Sequence, residues 1–256
     1  MIGYELYRRL RFYAGNGIRA ATIPWRQHRV TLDEATTIFA CSYGHGGWQH
    51  LRKTLEEYDA DPALDVRDTT LFAYLTRFCP TSICDLVDWP SGEPVLPLFV
   101  YPWGTFKRGE TRSPKDPANS RFCGPSTPDF AADEYARTIR LYEAMKGVGY
   151  RPWDFSNTFI GGTMLSRRDG SRRFVVLQGN HRFAILAHLG VAEIPVRNVR
   201  GYVPVIREAE AARWPLVADG TLGVAAALKI FNLYFDSNGA HIGELLQGSG
   251  STSVDQ

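Results

Sequence analysis

The residues best suited to chemistry form a short turn between an apolar run and a helical pattern. Phe174 to Leu177 is apolar and partly β-branched, a turn follows at Gln178-Gly179-Asn180, and Phe183 to Leu189 has helical periodicity. A strand, a tight turn and a helix in this order direct the free amides of the first helical turn outward, where the helix dipole favours an anion. His181 and Arg182 lie on that turn, and Arg182 has no acid three or four residues away to pair with. The pattern therefore predicts a phosphate-binding turn.

The same residues resemble a known family. Gly179-Asn180-His181-Arg182, followed by Ala184 and Leu189-Gly190, is similar to the G-x-H-R signature of the ParB/sulfiredoxin superfamily. Upstream, Pro128 to Gly149 resembles the amphipathic helix of that family, and the apolar runs on both sides of Asp169-Gly170 resemble its next two strands. The resemblance covers about residues 95 to 205. It implies an α+β fold in which helices pack on a small mixed sheet.

The resemblance also implies a ligand. Members of the superfamily hold a nucleotide phosphate at the corresponding helix N-terminus, which assigns Gly179, Asn180, His181 and Arg182 to the phosphates of ATP or ADP, with CTP as an alternative. Within the superfamily, the sequence of this turn is most similar to the G-H-H-R-like turn of kinases that phosphorylate free serine or a similar small molecule. That branch implies Mg²⁺, phosphate clamps and a carboxylate that takes the hydroxyl proton.

Two other branches of the superfamily fit less well. Sulfiredoxins carry their nucleophilic cysteine where this chain has Asn180, and an amide cannot perform the thiolate step. ParB proteins have an acidic second residue in a G-E-R-R turn, and the pattern after Arg182 shows no evident helix-turn-helix. Gln178 stands where several relatives carry Asp before the glycine, which weakens the case for a metal at that position. We therefore expect neither sulfinic acid reduction nor chromosome partitioning, and we assign no metal ligand.

A long polar segment supplies the remaining candidate site residues. Lys107 to Pro128 contains four prolines, and a loop of that length within a compact domain is usually functional or disordered. We predict that it is a lid over the anion site, with Arg121 and Ser126 contacting the nucleotide. In the kinase branch the base is an acid close to the first strand, and Glu110 and Asp116 lie in the corresponding region.

Two functional hypotheses from different classes follow. The first is a nucleotide-dependent phosphotransferase that acts on a small hydroxylated substrate, with His181 and one of the two acids, Glu110 or Asp116, in the catalytic site. The second is a non-catalytic nucleotide- or nucleic-acid-binding ParB-like module. A purely structural role is a third possibility, in which His181 caps the helix and Arg182 pairs with a distant acid.

The composition is that of an ordinary globular protein. The 256 residues are 44% hydrophobic and 22% charged, with room for one large or two small domains. The net charge of +2 does not indicate a nucleic-acid-binding surface, although residues 160 to 200 hold seven arginines and two acids. Four cysteines without C-x-x-C spacing favour a reducing compartment, and the absence of a long apolar run argues against membrane insertion. We expect a cytoplasmic protein.

The first 90 residues are predicted to form a mainly helical unit. Its expected helices are Tyr4 to Tyr13, one that begins at Thr31-Leu32-Asp33-Glu34, Trp48 to Tyr58, and Thr69 to Phe78. His28, His45 and His50 lack the spacing and additional ligands of a zinc site. The proline-rich stretch from Pro80 to Pro97 marks the boundary to a second unit.

The second unit, residues 91 to 205, is predicted to open with a strand at Leu96 to Phe106. Thr127-Pro128-Asp129 then begins a helix, with a hydroxyl at the cap and proline at the first position. We predict Glu134 and Glu143 to be solvated partners of Arg137, Arg140 and Lys146 on that helix. Its predicted core face consists of Tyr135, Thr138, Ile139, Tyr142 and Met145. Residues 206 to 246 are expected to form C-terminal helices at Glu208 to Arg213 and Leu222 to Phe235, and residues 247 to 256 a disordered tail.

Overall fold

The computed structural model describes residues 27 to 106, 119 to 150, 159 to 198 and 202 to 248. The strands are β1 (Gln27–Thr31), β2 (Ala35–Thr36), β3 (Ile160–Ser166), β4 (Arg172–Gln178), β5 (Glu193–Asn198) and β6 (Val205–Arg207). The helices are α1 (His50–Ala60), α2 (Thr70–Arg77), α3 (Pro128–Val148), α4 (Asn180–His188), α5 (Pro215–Ala218), α6 (Val224–Asp236) and α7 (Ala240–Gly248). Short 3₁₀ helices lie at Val66–Asp68, Ile83–Leu86 and Glu208–Arg213. The predicted helix Tyr4 to Tyr13, the acids Glu110 and Asp116, and the tail after Gly248 lie outside the described residues.

The strands form one mixed sheet in the order β1-β5-β3-β4-β2, and β6 also pairs with β3. β3 and β4 form an antiparallel hairpin, whereas β5 and β6 both run parallel to β3. β5 pairs with the first residues of β3, beginning at Ile160↔Val196. β6 pairs with the last residues of β3, ending at Ser166↔Arg207. The α+β class predicted from the sequence is confirmed, and its assignment to the ParB/sulfiredoxin fold stays a prediction.

The first two strands connect the front of the chain to this sheet. β1 pairs with β5 in antiparallel register, from Gln27↔Arg197 to Thr31↔Glu193. β2 pairs with β4 in parallel register, at Ala35↔Phe174 and Thr36↔Val175. The sheet therefore joins parts of the chain that the sequence analysis assigned to separate units on either side of residue 90.

Two local predictions in the first half of the chain are wrong. No helix begins at Thr31, because the Glu34 carboxylate accepts hydrogen bonds from the Thr31 backbone N at 3.0 Å and from its Oγ1 at 3.2 Å, and these bonds close a turn between β1 and β2. Leu96 to Phe106 is not a strand either. Pro97 and Pro102 carry no backbone N–H for a ladder, and the segment forms turns with one isolated bridge at Tyr101↔Gly104.

Helix α3 begins and packs as the sequence predicts. Thr127 is its N-cap, Pro128 its first residue, and the Thr127 side chain accepts a hydrogen bond from Phe130 N at 3.3 Å. Its buried residues include Thr138, Tyr142 and Met145. The predicted helices around residues 48 to 58, 69 to 78 and 222 to 235 are also present, as α1, α2 and α6.

Helix α4 lies at the centre of the arrangement. Its residues from Phe183 to Ala187 are all buried, and it packs against α1 and α3 on one side and against the sheet on the other. The hairpin of β3 and β4 leads directly into it, so the position of its N-terminus is fixed by both the sheet and the helices. No helix in the described part of the chain is long and apolar enough to span a membrane.

Candidate functional site

A left-handed glycine creates the turn between β4 and α4. Gly179 has φ 84° and ψ 29°, a conformation that residues with a Cβ adopt at a cost. It is the N-cap of α4, and no side chain caps the helix there. The first intrahelical bond runs from Phe183 N to Gly179 O at 2.9 Å, so the amides of the first turn precede the helical hydrogen-bond ladder. The predicted order of strand, turn and helix is therefore present, with no side chain capping the helix N-terminus.

The Asn180 side chain is held by a residue from the front of the chain. The Tyr43 hydroxyl donates to Asn180 Oδ1 at 3.0 Å, and the Tyr43 ring packs on Phe183 at 4.5 Å between centroids. Tyr43 is fully buried, so this hydrogen bond lies in a protected environment. It fixes the start of α4 from outside the helix.

The turn opens into a cavity of about 660 Å³ between α1, α2, α3 and α4. One group of lining residues is polar or charged: His50, Tyr74, Arg121, Glu134, Arg137 and the segment Gln178 to Arg182. The other group is apolar and includes Leu51, Leu71, Leu75 and Phe122. The volume lies within the range of about 300 to 1,000 Å³ that is typical of small-molecule sites.

A buried carboxylate organises the charged wall. Glu134 is only 4% exposed, and its two oxygens bind different guanidinium groups. Arg121 Nε donates to Oε1 at 2.9 Å, and Arg137 Nη1 donates to Oε2 at 2.9 Å. His181 Nε2 lies 3.4 Å from Oε2. The predicted pairing of Glu134 with Arg137 is confirmed, but the prediction that Glu134 is solvated is wrong, because α3 turns it towards α4.

Two histidines line the cavity in the neutral form: His50, which is buried, and His181, whose side chain is 13% exposed. Burial lowers the pKa of His181 to about 3, and the nearby charges of Arg137, Arg121 and Arg182 act in the same direction. These effects outweigh the attraction of Glu134, whose charge two guanidinium groups already share. Burial, and secondarily His181, lowers the pKa of His50 to about 3. The His50 ring stacks on Tyr74 with 3.7 Å between centroids, so it is held in place without carrying charge.

Arg182 folds back over the turn. The residue is 8% exposed, and a Cβ built on Gly179 would lie 2.8 Å from Arg182 Nη2. Burial lowers the pKa of Arg182, and a hydrogen bond with Tyr150 opposes that effect. An arginine stays protonated in a protein, so Arg182 brings a cation to the helix N-terminus. Gly179 is required both by its backbone angle and by the space that this guanidinium fills.

The structure brings most of the predicted site residues together. Gly179, Asn180, His181, Arg182 and Arg121 all line the cavity. A purely structural role required the His181 side chain to cap α4. It does not cap the helix and faces Glu134 instead.

Three predicted positions stand apart from this group. Ser126 is not in the cavity lining, because its Oγ donates to Ser120 O at 3.3 Å and its backbone N donates to Leu75 O at 2.8 Å, which ties it into a turn. Glu110 and Asp116 lie outside the described residues, as does most of the predicted lid.

Sequence reasoning missed Glu134, Arg137, His50 and Tyr43 as components of the site. A signal existed for Glu134, which precedes Thr138 by four residues and therefore lies on the predicted core face of its helix. An acid on such a face requires a partner, and Arg137 follows it by three residues. No comparable local signal existed for His50 or Tyr43, which reach the site through tertiary packing.

The described lining does not fit a Mg²⁺ ion. The described residues contain no group of three or more His, Cys, Asp or Glu placed to hold a metal ion. Glu134 is the carboxylate of the described lining, and both of its oxygens already bind cations. No step is therefore assigned to Mg²⁺ on these residues.

The chain was compared with family models, curated proteins and solved structures, and no match was found in any of them. The resemblance to the ParB/sulfiredoxin superfamily therefore rests on the residues quoted from the sequence.

Proposed function

We propose that this protein is a nucleotide-dependent phosphotransferase that acts on a small hydroxylated substrate, with the nucleotide phosphates held by the Gly179 to Arg182 turn. The observation that supports the proposal is the uncapped N-terminus of α4, which opens into a cavity that is also lined by Arg121 and Arg137. Helix amides and guanidinium groups are the donors that bind phosphate in proteins. The resemblance of Gly179-Asn180-His181-Arg182 to kinase-type G-x-H-R turns points to the same ligand.

The shape of the site favours a small molecule over a nucleic acid. The cavity lies between four helices, and the His181 side chain at its wall is 13% exposed. Proteins that bind single-stranded nucleic acid use a groove that follows the backbone, together with stacking aromatics. The non-catalytic nucleotide-binding hypothesis keeps the same site and differs only in the absence of turnover.

The residues divide into phosphate ligands and groups that hold them. Arg121 and Arg137 each use one nitrogen for Glu134, and a guanidinium has two further nitrogens that can bind phosphate oxygens. Glu134 therefore positions both arginines. His181 is neutral and its Nε2 lies 3.4 Å from Glu134 Oε2, and a pKa of about 3 makes it a poor proton acceptor. We assign His181 to positioning and keep Glu110 or Asp116 as the proposed base.

Turnover and binding need separate measurements. Phosphorylation of a panel of hydroxylated acceptors is followed by ³¹P NMR with ATP or ADP as donor, and nucleotide affinity is measured by calorimetry. The proposal predicts that Glu110→Gln or Asp116→Asn abolishes phosphorylation while nucleotide affinity stays within about twofold of wild type, since neither acid is assigned to phosphate binding. Glu143→Gln is the matched control, because Glu143 is an exposed acid on α3 outside the cavity lining.

Three outcomes separate the hypotheses. Loss of phosphorylation in one acid variant, with normal activity in the Glu143 control, supports the assignment of the base. Unchanged phosphorylation in both acid variants removes Glu110 and Asp116 as the base. Nucleotide binding by wild type without phosphorylation of any acceptor favours the non-catalytic module.

A further inference from the structure

We propose that the cavity selects ligands that carry a dianionic phosphate monoester over monoanionic esters of the same shape. This inference rests on the proposed function, because it concerns the same cavity, and it adds the class of phosphate that the site accepts. Terminal phosphates of nucleotides and phosphorylated small molecules belong to the selected class. Phosphodiesters and sulfate esters do not.

The charge of the Glu134 cluster is the first step of the argument. Arg121 and Arg137 carry two positive charges and Glu134 carries one negative charge. Arg121 Nε binds Glu134 Oε1 and Arg137 Nη1 binds Oε2, each at 2.9 Å. The cluster keeps a surplus of one positive charge. The Glu134 residue is 4% exposed, whereas the side chains of Arg121 and Arg137 are 56% and 44% exposed, so the buried carboxylate holds one nitrogen of each while the rest of each guanidinium can reach a ligand.

The helix N-terminus adds to this surplus. Nine residues of α4 align their peptide dipoles behind the turn, and such an N-terminus is equivalent to about half a positive charge. The sum of these two contributions, before Arg182 is included, is about 1.5 positive charges, against a charge of about −1.5 to −2 on a phosphate monoester at pH 7. A monoanion leaves part of the surplus uncompensated in a partly desolvated site.

Of the other titratable groups of the cavity, only Arg182 changes the count among the described lining residues. His50 on α1 and His181 on α4 are neutral at pH 7, because burial is the main cause that lowers the pKa of each to about 3. Burial raises the pKa of Tyr74 on α2, so its phenol is neutral as well. Arg182 on α4 is cationic and raises the total to about 2.5 positive charges, so a monoanion leaves more of this charge uncompensated than a dianion does. Among the described lining residues, Glu134 therefore supplies the negative charge that is subtracted from the positive charges around a bound ligand.

The apolar lining indicates where the carbon part of the ligand lies. Leu51, Leu71 and Leu75 from α1 and α2 face the same cavity as the charged cluster, with Phe122 beside them. A ligand with a charged phosphate and a compact carbon body satisfies both groups of residues. Phenyl phosphate and phenyl sulfate are matched probes, because they share the phenyl group and the tetrahedral ester and differ by one charge above about pH 7.

The test measures the affinities of phenyl phosphate and phenyl sulfate at pH 8 by calorimetry on the full-length protein, with ATP in a parallel titration. Wild type is expected to prefer phenyl phosphate by at least about tenfold, which corresponds to one additional favourable charge interaction of about 1.4 kcal/mol. Arg137→Gln removes the surplus charge of the cluster and is expected to reduce the preference to less than about threefold. Arg140→Gln, an exposed position on the same helix outside the cavity, is expected to retain it.

The outcomes distinguish this inference from the proposed function. ATP binding together with equal affinities for the two phenyl esters overturns the charge selection and leaves the proposed function in place. An unchanged preference in Arg137→Gln overturns the assignment of the selection to the Glu134 cluster. Absence of binding by ATP and by both esters overturns the proposed function, and the inference falls with it.

Discussion

The two histidines of the cavity predict a loss of stability on mild acidification. His50 and His181 have pKa values of about 3 in the folded protein, against 6.5 for an unperturbed histidine. Because the folded-state values are lowered, the unfolded chain binds more protons than the folded protein below pH 6.5. Their contribution to stability is therefore fully present above pH 6.5 and is lost progressively as the pH falls towards 3.

The size of the effect follows from the linkage between protonation and unfolding. Each histidine protonated only in the unfolded chain lowers the free energy of unfolding by about 1.4 kcal/mol per pH unit below 6.5. Between pH 6.5 and pH 5 this amounts to about 2 kcal/mol for one histidine and about 4 kcal/mol for both. Such a loss is a large part of a typical total stability of about 5 to 15 kcal/mol.

Urea denaturation at pH 7 and pH 5 measures this loss directly. The His50→Phe variant keeps an aromatic ring against Tyr74 but cannot titrate, so we expect its loss between the two pH values to be about half that of wild type. His45→Gln is the control, because His45 is exposed on the glycine loop and should leave the loss unchanged. Equal losses in wild type and His50→Phe would refute the assignment of a neutral buried His50.

Further predictions concern the residues that shape the turn and its supporting helix. Gly179→Ala should lower the free energy of unfolding by about 1 to 2 kcal/mol in urea denaturation, because φ is 84° and the new Cβ meets Arg182. Gly147→Ala, on a helix surface with open space around it, should instead raise stability by about 0.5 to 1 kcal/mol. Tyr43→Phe removes the hydrogen bond to Asn180 and should cost about 1 kcal/mol in the same assay, and an unchanged midpoint would show that this bond does not stabilise the turn.

The parts of the fold that the sequence predicts are those determined by neighbouring residues. The cap at Thr127, the hairpin around Asp169-Gly170 and the turn at Gly179 each depend on a few adjacent side chains and a local backbone preference. These signals do not require knowledge of the rest of the chain. The same locality explains the error at Thr31, where a hydrogen-bond pattern that starts many helices closes a turn between two strands.

The remaining features depend on contacts between distant parts of the chain. β1 and β5 pair Gln27 with Arg197 across 170 residues, and a short edge strand has no local signal that identifies such a partner. The site was predicted in part for the same reason. Its turn is local to residues 178 to 182, whereas His50 and Glu134 reach it through the packing of α1 and α3 against α4.

The measurement that tests the central claim most directly is a thermal-shift panel of ATP, ADP, CTP and GTP, with and without Mg²⁺, on wild type and Arg182→Ala. A nucleotide at about one hundred times its dissociation constant should stabilise wild type by nearly 3 kcal/mol. Loss of the charged hydrogen bonds of Arg182 should weaken binding by about 1.5 to 3 kcal/mol, so the stabilisation in the variant should fall to about half of the wild-type value or less. Arg140→Ala should keep the wild-type shift, because Arg140 is exposed and outside the cavity lining. No shift with any nucleotide in wild type, or an equal shift in Arg182→Ala, would contradict phosphate binding at the Gly179 to Arg182 turn.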